Sequence, residues 1–276
     1  MPDLLRAAAI QLTATADRAR NLATADRLVR AAAADGAQLV LLPEKWSVFG
    51  NAEALREGAE PLDGPALSWA RSTAAELGID LVAGSVAEKA APESADQRNG
   101  NTSVHVGPDG TDRATYRKIH LFDVEVGGTV YRESDTDRPG DEVVTTDVAG
   151  HTTGLTVCYD LRFPGLYEAL SRRGAEIILI PAAFTAKTTV AHWEILLRAR
   201  AIEAQAFVIA ANQTGRHTAE MQSGGRSMIV DPWGEILAEA ATDAEAFITA
   251  DLDFGRLAEV RSRIPALTAR LDKGYS

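Results

Sequence analysis

HTTGLTVCYDLRFPGLYEALSRRGAEIILIPAAF, residues 151–184, is the stretch that sets the fold class. Its opening, HTTGLTVCYD, reads as a strand, residues 164–173 carry helical spacing, and AEIILIPAAF is a second apolar strand. Strand, helix and strand in succession mark an α/β domain in which the two element types are intermixed.

The same alternation runs outward in both directions. Downstream come a helix over 192–205, the strand AFVIAANQ and a hairpin in GRSMIVDPWGEILAEA that turns at Asp231–Gly234. The strand EAFITADLD and a helix over 255–263 follow. Trp193 and the run Ile195 to Ile202 have the spacing of a packing face. Upstream, RAAAIQL is a first strand, and a helix follows with Asp17 as its cap and Gly36 as its stop. QLVLLP (38–43) is a short buried strand, a helix spans 65–77 and stops at Gly78, and IDLVAGSVAE reads as one strand. Residues 100–119 form a hairpin about the turn GPDG. Residues 120–142, rich in Gly, Asp, Glu and Arg, read as the longest irregular stretch, and such loops are usually functional or disordered. No linker or short-period repeat divides residues 1–276, which read as a single domain.

Charge and cysteine usage narrow the function classes. A formal net charge of −11 argues against a nucleic-acid or anionic-membrane partner. A single cysteine cannot form an internal disulfide, so a reducing, cytoplasmic setting is expected. MPDLLRAAAIQL lacks the basic leader of a signal peptide, and no apolar run approaches the roughly 20 residues that span a bilayer.

That single cysteine, Cys158, closes a strand with a helix only a few residues away. Ligands of α/β sheets bind just outside the carboxyl ends of strands, and a sharp strand-to-helix turn exposes a nucleophile there. The positive end of the following helix is expected to lower the thiol pKa. The plainer reading is a small buried hydrophobe, since free cysteine is among the most buried residue types.

A thiol nucleophile needs a base. His105, His120, His151, His192 and His217 are scattered, and none stand three or four residues apart, so they suggest neither a partner nor a helical metal site. Charged residues at strand ends are the other candidates. Glu44 follows LVLLP in LLPEKW, and Lys118 ends the hairpin's second strand in YRKIHLFD. Read singly, each fits a solvated surface charge. Read together with Cys158 they make a coherent set. A carboxylate can take the thiol proton, a thiolate can attack a carbonyl, and an ammonium can hold the resulting oxyanion.

LLPEKW, YRKIHLFD and LTVCYDLRFP, in that order and at those separations, closely resemble the Glu, Lys and Cys motifs of the nitrilase (carbon–nitrogen hydrolase) superfamily. The resemblance extends through AHWEILLRARAIEAQAFVIAANQ and GRSMIVDPWGE and covers essentially the whole chain. Cys-Tyr-Asp after the strand is similar to the Nit branch of omega-amidases and deaminated-glutathione amidases; true nitrilases typically have Cys-Trp-Glu.

The resemblance implies a four-layer α-β-β-α sandwich, with two sheets face to face and helices outside. It implies hydrolysis of a small-molecule amide to acid and ammonia through a cysteine thioester, without metal or organic cofactor, in a homodimer. Glu44 would be the general base, Lys118 the oxyanion stabiliser and Cys158 the nucleophile, with the Tyr159 backbone N–H as a second oxyanion donor. A further glutamate that positions the site is expected at Glu133 in YRES, with Glu142 as the alternative. Arg162 and Phe184 align with substrate-contacting positions; Arg162 would grip a substrate carboxylate or, structurally, pair with Asp160 or Glu168.

Three departures stand out from the family pattern. Gly127 stands where Pro is usual, Gly165 replaces a common Glu, and TTVAHW stands where related enzymes often have Thr-Gly-Pro-Ala-His-Trp. The tail RIPALTARLDKGYS reads as an extended arm able to cross to a neighbour. An N-carbamoyl hydrolase or nitrilase using the same triad, and a non-catalytic interaction protein on the same fold, remain open alternatives.

Overall fold

A computed structural model of the chain describes residues 3–126 and 128–271. Two large sheets face one another. The first runs Ala246–Asp253, Leu4–Gln11, Leu39–Leu41, Asp80–Val82, Asn99–Val106 and Val86–Glu88, with Asp112–Arg117 and Asp137–Arg138 also paired to Asn99–Val106. The second runs Thr145–Val148, His151–Leu155, Ile177–Ala182, Phe207–Asn212, Met228–Val230 and Ile236–Glu239.

Alternation along one strand shows how the layers arise. In Leu4–Gln11, the residues Leu5, Ala7 and Ala9 join the core shared with Ile177–Ile180 and Phe207–Ala211 of the second sheet. Ala8 and Ile10 join a separate core with Leu28 and Val29 of helix Arg18–Ala34 and Leu67 and Ala70 of helix Pro65–Leu77. Successive strand side chains point to opposite faces, so a strand buried on both sides must be apolar throughout. Helices Pro164–Arg172, Glu194–Ala204 and Phe254–Arg263 add Leu166, Leu197 and Leu257 to the core of the second sheet. The layers are therefore α-β-β-α, as expected.

The helix limits follow local chemistry. The Asp17 side chain accepts from the Arg20 N–H at one helix start. Pro65 opens the helix Pro65–Leu77, and Gly78 ends it in the left-handed conformation that glycine adopts without penalty.

Several expected elements are corrected. IDLVAGSVAE is two strands, Asp80–Val82 and Val86–Glu88, which pair with opposite ends of Asn99–Val106. The break is Gly84, at φ +48°, where an added Cβ would lie 1.9 Å from the Pro43 carbonyl oxygen. Residues 120–142 are not irregular: Asp123–Val126 and Thr129–Arg132 form a hairpin, followed by a 3-10 turn at Glu133–Asp135 and the short strand Asp137–Arg138. The runs DVEV and TVYR are four residues each, too short to show their alternation among so many charges. Gly127 lies outside the described residues.

The strand that begins HTTGL ends at Leu155, because a 3-10 turn, Cys158–Arg162, takes over the rest. The helix expected over 192–205 is a π-helical turn, Thr189–Trp193, followed by Glu194–Ala204. Of its apolar residues Trp193 and Leu197 are buried, whereas Ile195 and Ile202 are 70% and 51% exposed, so the expected packing face is only partly inward. The tail is not extended over Ala266–Leu271, which is a short helix; residues 272–276 lie outside the described residues.

Candidate active site

Four strand ends converge at one edge of the sandwich. Glu44 follows Leu39–Leu41, Lys118 follows Asp112–Arg117, Cys158 follows His151–Leu155 and Phe184 follows Ile177–Ala182. Glu133 arrives from the 3-10 turn after the small hairpin. The first sheet thus supplies the charged groups and the second sheet the thiol. Glu44, Lys118, Cys158 and Phe184 are buried and Glu133 partly so: Glu44 is 4% exposed and Lys118 1%, which removes the reading of either as a solvated surface charge.

Lys118 Nζ donates to Glu44 Oε1 at 2.9 Å and to Glu133 Oε2 at 2.8 Å. Asn101 Nδ2 donates to the same two carboxylates, at 2.8 Å to Glu44 Oε1 and 3.0 Å to Glu133 Oε1. The Phe122 N–H adds a 2.7 Å bond to Glu133 Oε2. The Glu44 carboxylate and the Ala183 backbone N–H lie close enough to the Cys158 thiol to act on its protonation. Glu142 is exposed, and of the two candidate acids it is Glu133 that the structure brings to Lys118.

Cys158 sits at φ +50°, a left-handed conformation that costs a non-glycine residue energy and that clusters at functional sites. Asp160 holds the strained turn in place. Its Oδ2 accepts from the Val157 N–H at 2.9 Å and the Tyr116 hydroxyl at 2.6 Å, and its Oδ1 accepts from the His120 N–H at 3.1 Å. Tyr116 and His120 flank Lys118 by two residues on either side, so Asp160 fixes the thiol turn against the lysine strand.

The environments set the protonation states. Burial would raise the Glu133 carboxyl, but Lys118 and Lys45, with hydrogen bonds from Lys118 and Phe122, hold it at about 2. Burial would lower the Lys118 ammonium, yet Glu133 and Glu44 raise it well above the usual lysine range. The Cys158 thiol is pushed well above its ordinary value, first by burial and then by Glu44, against the opposing pull of Lys118. The expected lowering by the following helix is therefore overturned: in a desolvated site a neighbouring carboxylate outweighs a turn dipole.

The cavity above these groups holds about 250 Å³. Tyr159, Arg162, Phe184, Tyr131 and Thr188 line it with Glu44, Lys118, Glu133 and Cys158. The Arg162 guanidinium lies 5.3 Å from the Phe184 ring centre and 5.9 Å from that of Tyr159, and both terminal nitrogens are 3.3 Å from His192 Nδ1. The expected pair with Asp160 is not made, because Asp160 is committed to the turn. Among the described residues no carboxylate pairs with Arg162; Glu168 pairs with Arg172. Gly165 is exposed with open space around it, and TTVAHW supplies Thr188 to the cavity from the short helical segment Ala186–Thr188 just before the π-helical turn.

Sequence reasoning missed Lys45, Asn101, Asp137, Ala183 and His217. Lys45 is next to Glu44 in LLPEKW, but a lysine after a loop acid gives no sign of burial. His217 lines the cavity; its Nδ1 donates to the Ala14 carbonyl at 2.8 Å and its Nε2 accepts from the Ser223 hydroxyl at 2.9 Å. Burial lowers it to about 4, so it is neutral at pH 7.

A buried thiol beside a carboxylate and an ammonium, at the edge of two stacked sheets, brings together the groups that hydrolysis of a carbonyl compound needs. The chain belongs to the carbon–nitrogen hydrolase family, which matches residues 6–262. It is 38% identical to omega-amidase NIT2 of Homo sapiens over 272 residues, 98% of this chain and 96% of that one. It is 39% identical to the deaminated glutathione amidase of Synechocystis sp. (strain PCC 6803 / GT-S) over 269 residues, 96% of this chain and 97% of that one. The crystal structure of Saccharomyces cerevisiae Nit3, a member of branch 10 of the nitrilase superfamily, superposes with a TM-score of 0.85 at 30% identity, covering 95% of this chain and 94% of that one. The chain is an amidase of that superfamily, and neither the nitrilase and N-carbamoyl readings nor the non-catalytic one is favoured.

Proposed function

We propose that this amidase releases ammonia from a short dicarboxylic monoamide, such as 2-oxoglutaramate or succinamate, or from the longer deaminated glutathione, through a thioester on Cys158. The observation that carries the mechanism is the buried Glu44 carboxylate, which acts on the nearby thiol while its Oε1 accepts from Lys118 and Asn101. Glu44 takes the thiol proton as sulfur attacks the amide carbon. Lys118 and the Tyr159 N–H hold the oxyanion, and Glu44 gives the proton to departing ammonia. Water, activated by Glu44, then hydrolyses the thioester to the acid. Glu133 has no proton to trade: both its oxygens accept strong donors, and it stays anionic as the anchor of Lys118. Arg162 supplies the substrate anchor, its planar fork free of any carboxylate among the described residues and aimed with Phe184 at the cavity. A denaturing quench during turnover should show acyl mass on the Cys158 peptide, and Cys158→Ala should lose label and turnover while folded. Full activity in Cys158→Ala would overturn the mechanism.

The assembly is read as a homodimer of single-domain subunits spanning residues 1–276, in the cytoplasm. Exposed Ile195, Ile202, Trp233 and Leu237 support the dimer. Arg198 Nε donates to the Gly234 carbonyl at 2.8 Å, which ties the Asp231–Gly234 turn to the helix bearing the two isoleucines. Contiguous apolar surface of this kind marks association. A single cysteine fits a reducing compartment, and among the described residues no helix is long and apolar enough to cross a membrane. Light scattering at micromolar concentration should give twice the subunit mass; a monomer would remove the dimer.

A further inference from the structure

Beside the catalytic set lies a second buried lysine that the mechanism above does not use. Lys45 is 3% exposed, although its neighbour in sequence is the general base itself. Its backbone takes φ +48°, a second left-handed non-glycine residue in this site, and its N–H is fixed by the Ser85 hydroxyl at 3.0 Å. The side chain ends 2.5 Å from Asp137 Oδ2 and 3.6 Å from Glu133 Oε1. Asp137 is fully buried, and its other oxygen, Oδ1, has no hydrogen-bond partner. Asp137 thus spends its contacts on Lys45 alone.

Charge counting shows why this matters. Glu133 is faced by Lys118, Lys45, Glu44, Asp137, Cys158 and, at the root of the small hairpin, Asp123. Glu44, Glu133 and Asp137 already outnumber Lys118 and Lys45, so losing the Lys45 charge 3.6 Å from Glu133 would favour protonation of one of these carboxylates. A protonated Glu133 would hold Lys118 less firmly, and the oxyanion donor would lose its aim.

We propose that Lys45 is a positioning residue: tethered by Asp137 at a distance from Glu133 that lends charge without displacing Lys118, it keeps Glu133 anionic and so keeps Lys118 directed at the oxyanion. The inference rests on the reading of Glu133 as an anionic anchor.

The test is the pH profile of kcat and kcat/KM for ammonia release from succinamate, with thermal melts to confirm folding. The double variant Lys45→Met, Asp137→Leu removes the pair without leaving a buried orphan charge, an exchange that buried ion pairs often tolerate. Its kcat should fall about tenfold and its acid limb should move up by about one pH unit, with KM little changed. Lys45→Met alone should move the limb at least as far. Overlay of the double variant on the wild type in kcat and acid limb would overturn the proposal, and so would failure of both variants to fold, which would assign the pair to the fold. Glu133→Gln separates the two readings. If Glu133→Gln keeps wild-type kcat, the anchor role of Glu133 is wrong; if it is inactive while the pair variants are unaffected, only the role of Lys45 falls.

Discussion

The floor and the mouth of the cavity are built on opposite terms. At the floor, Glu133 accepts from Lys118, Asn101 and the Phe122 N–H, and Lys118 in turn spans two carboxylates. At the mouth, Arg162 has a histidine nitrogen at 3.3 Å and two ring faces. Fixed charges at the floor cost desolvation and are held only because each has several partners. A guanidinium whose fork is not already paired keeps its donors for an incoming carboxylate. This chain thus sets tightly paired charges at the floor and leaves an unpaired guanidinium fork at the mouth.

Breaking the floor should have the largest effect. Lys118→Met removes the ammonium between Glu44 and Glu133 and leaves two buried carboxylates facing each other. Turnover should fall by roughly 10² to 10³ from the lost oxyanion donor. Stability should drop by about 3–5 kcal/mol from the uncompensated charges. Ammonia release and a melting temperature lowered by roughly 10 °C would report both. A variant that loses turnover at an unchanged melting temperature would show that the floor is not held by charge pairing.

The strand-end groups were legible in the sequence and their buried supports were not, and the reason is physical. Glu44, Lys118 and Cys158 each follow a strand, and strand ends meet at one edge of a sheet, so the three could be placed without coordinates. Glu133 was found through the YRES motif, although its hairpin was read as irregular. Lys45, Asn101 and Asp137 were invisible because burial of a polar side chain depends on partners 32 to 92 residues away, and local pattern carries no trace of them. The thiol's pKa direction was misread for the same reason. The helix after Cys158 is visible in sequence, whereas the packing of Glu44 against the sulfur is not.

A pH experiment sharpens the account of the floor at intermediate effect. The Glu133 carboxyl titrates at about 2 in the folded protein, below the ordinary value of about 4.3 in an unfolded chain. A depressed carboxyl favours folding while ionised, so its contribution is complete above the unfolded value and is lost as pH falls towards 2. Denaturant unfolding should therefore find Glu133→Gln less stable than wild type at pH 7, with the gap narrowing between about pH 5 and 2. A gap independent of pH would mean that Glu133 contributes by shape or neutral hydrogen bonding.

The mouth should give the smallest and most selective change. Arg162 is half-buried over Phe184 and Tyr159, and lysine at this position would keep the charge while losing the planar fork. For Arg162→Lys, kcat/KM on succinamate should fall by roughly tenfold, about 1.4 kcal/mol of lost transition-state binding. A neutral amide of similar length should lose much less, because it has no carboxylate for the fork to hold. Melting temperature should barely move, since Arg162 makes no salt bridge among the described residues and its histidine contact is solvent-exposed. Equal losses on the charged and neutral amides would show that Arg162 supports the cavity wall through its ring contacts, and the division between a rigid floor and a receptive mouth would fail at its most exposed point.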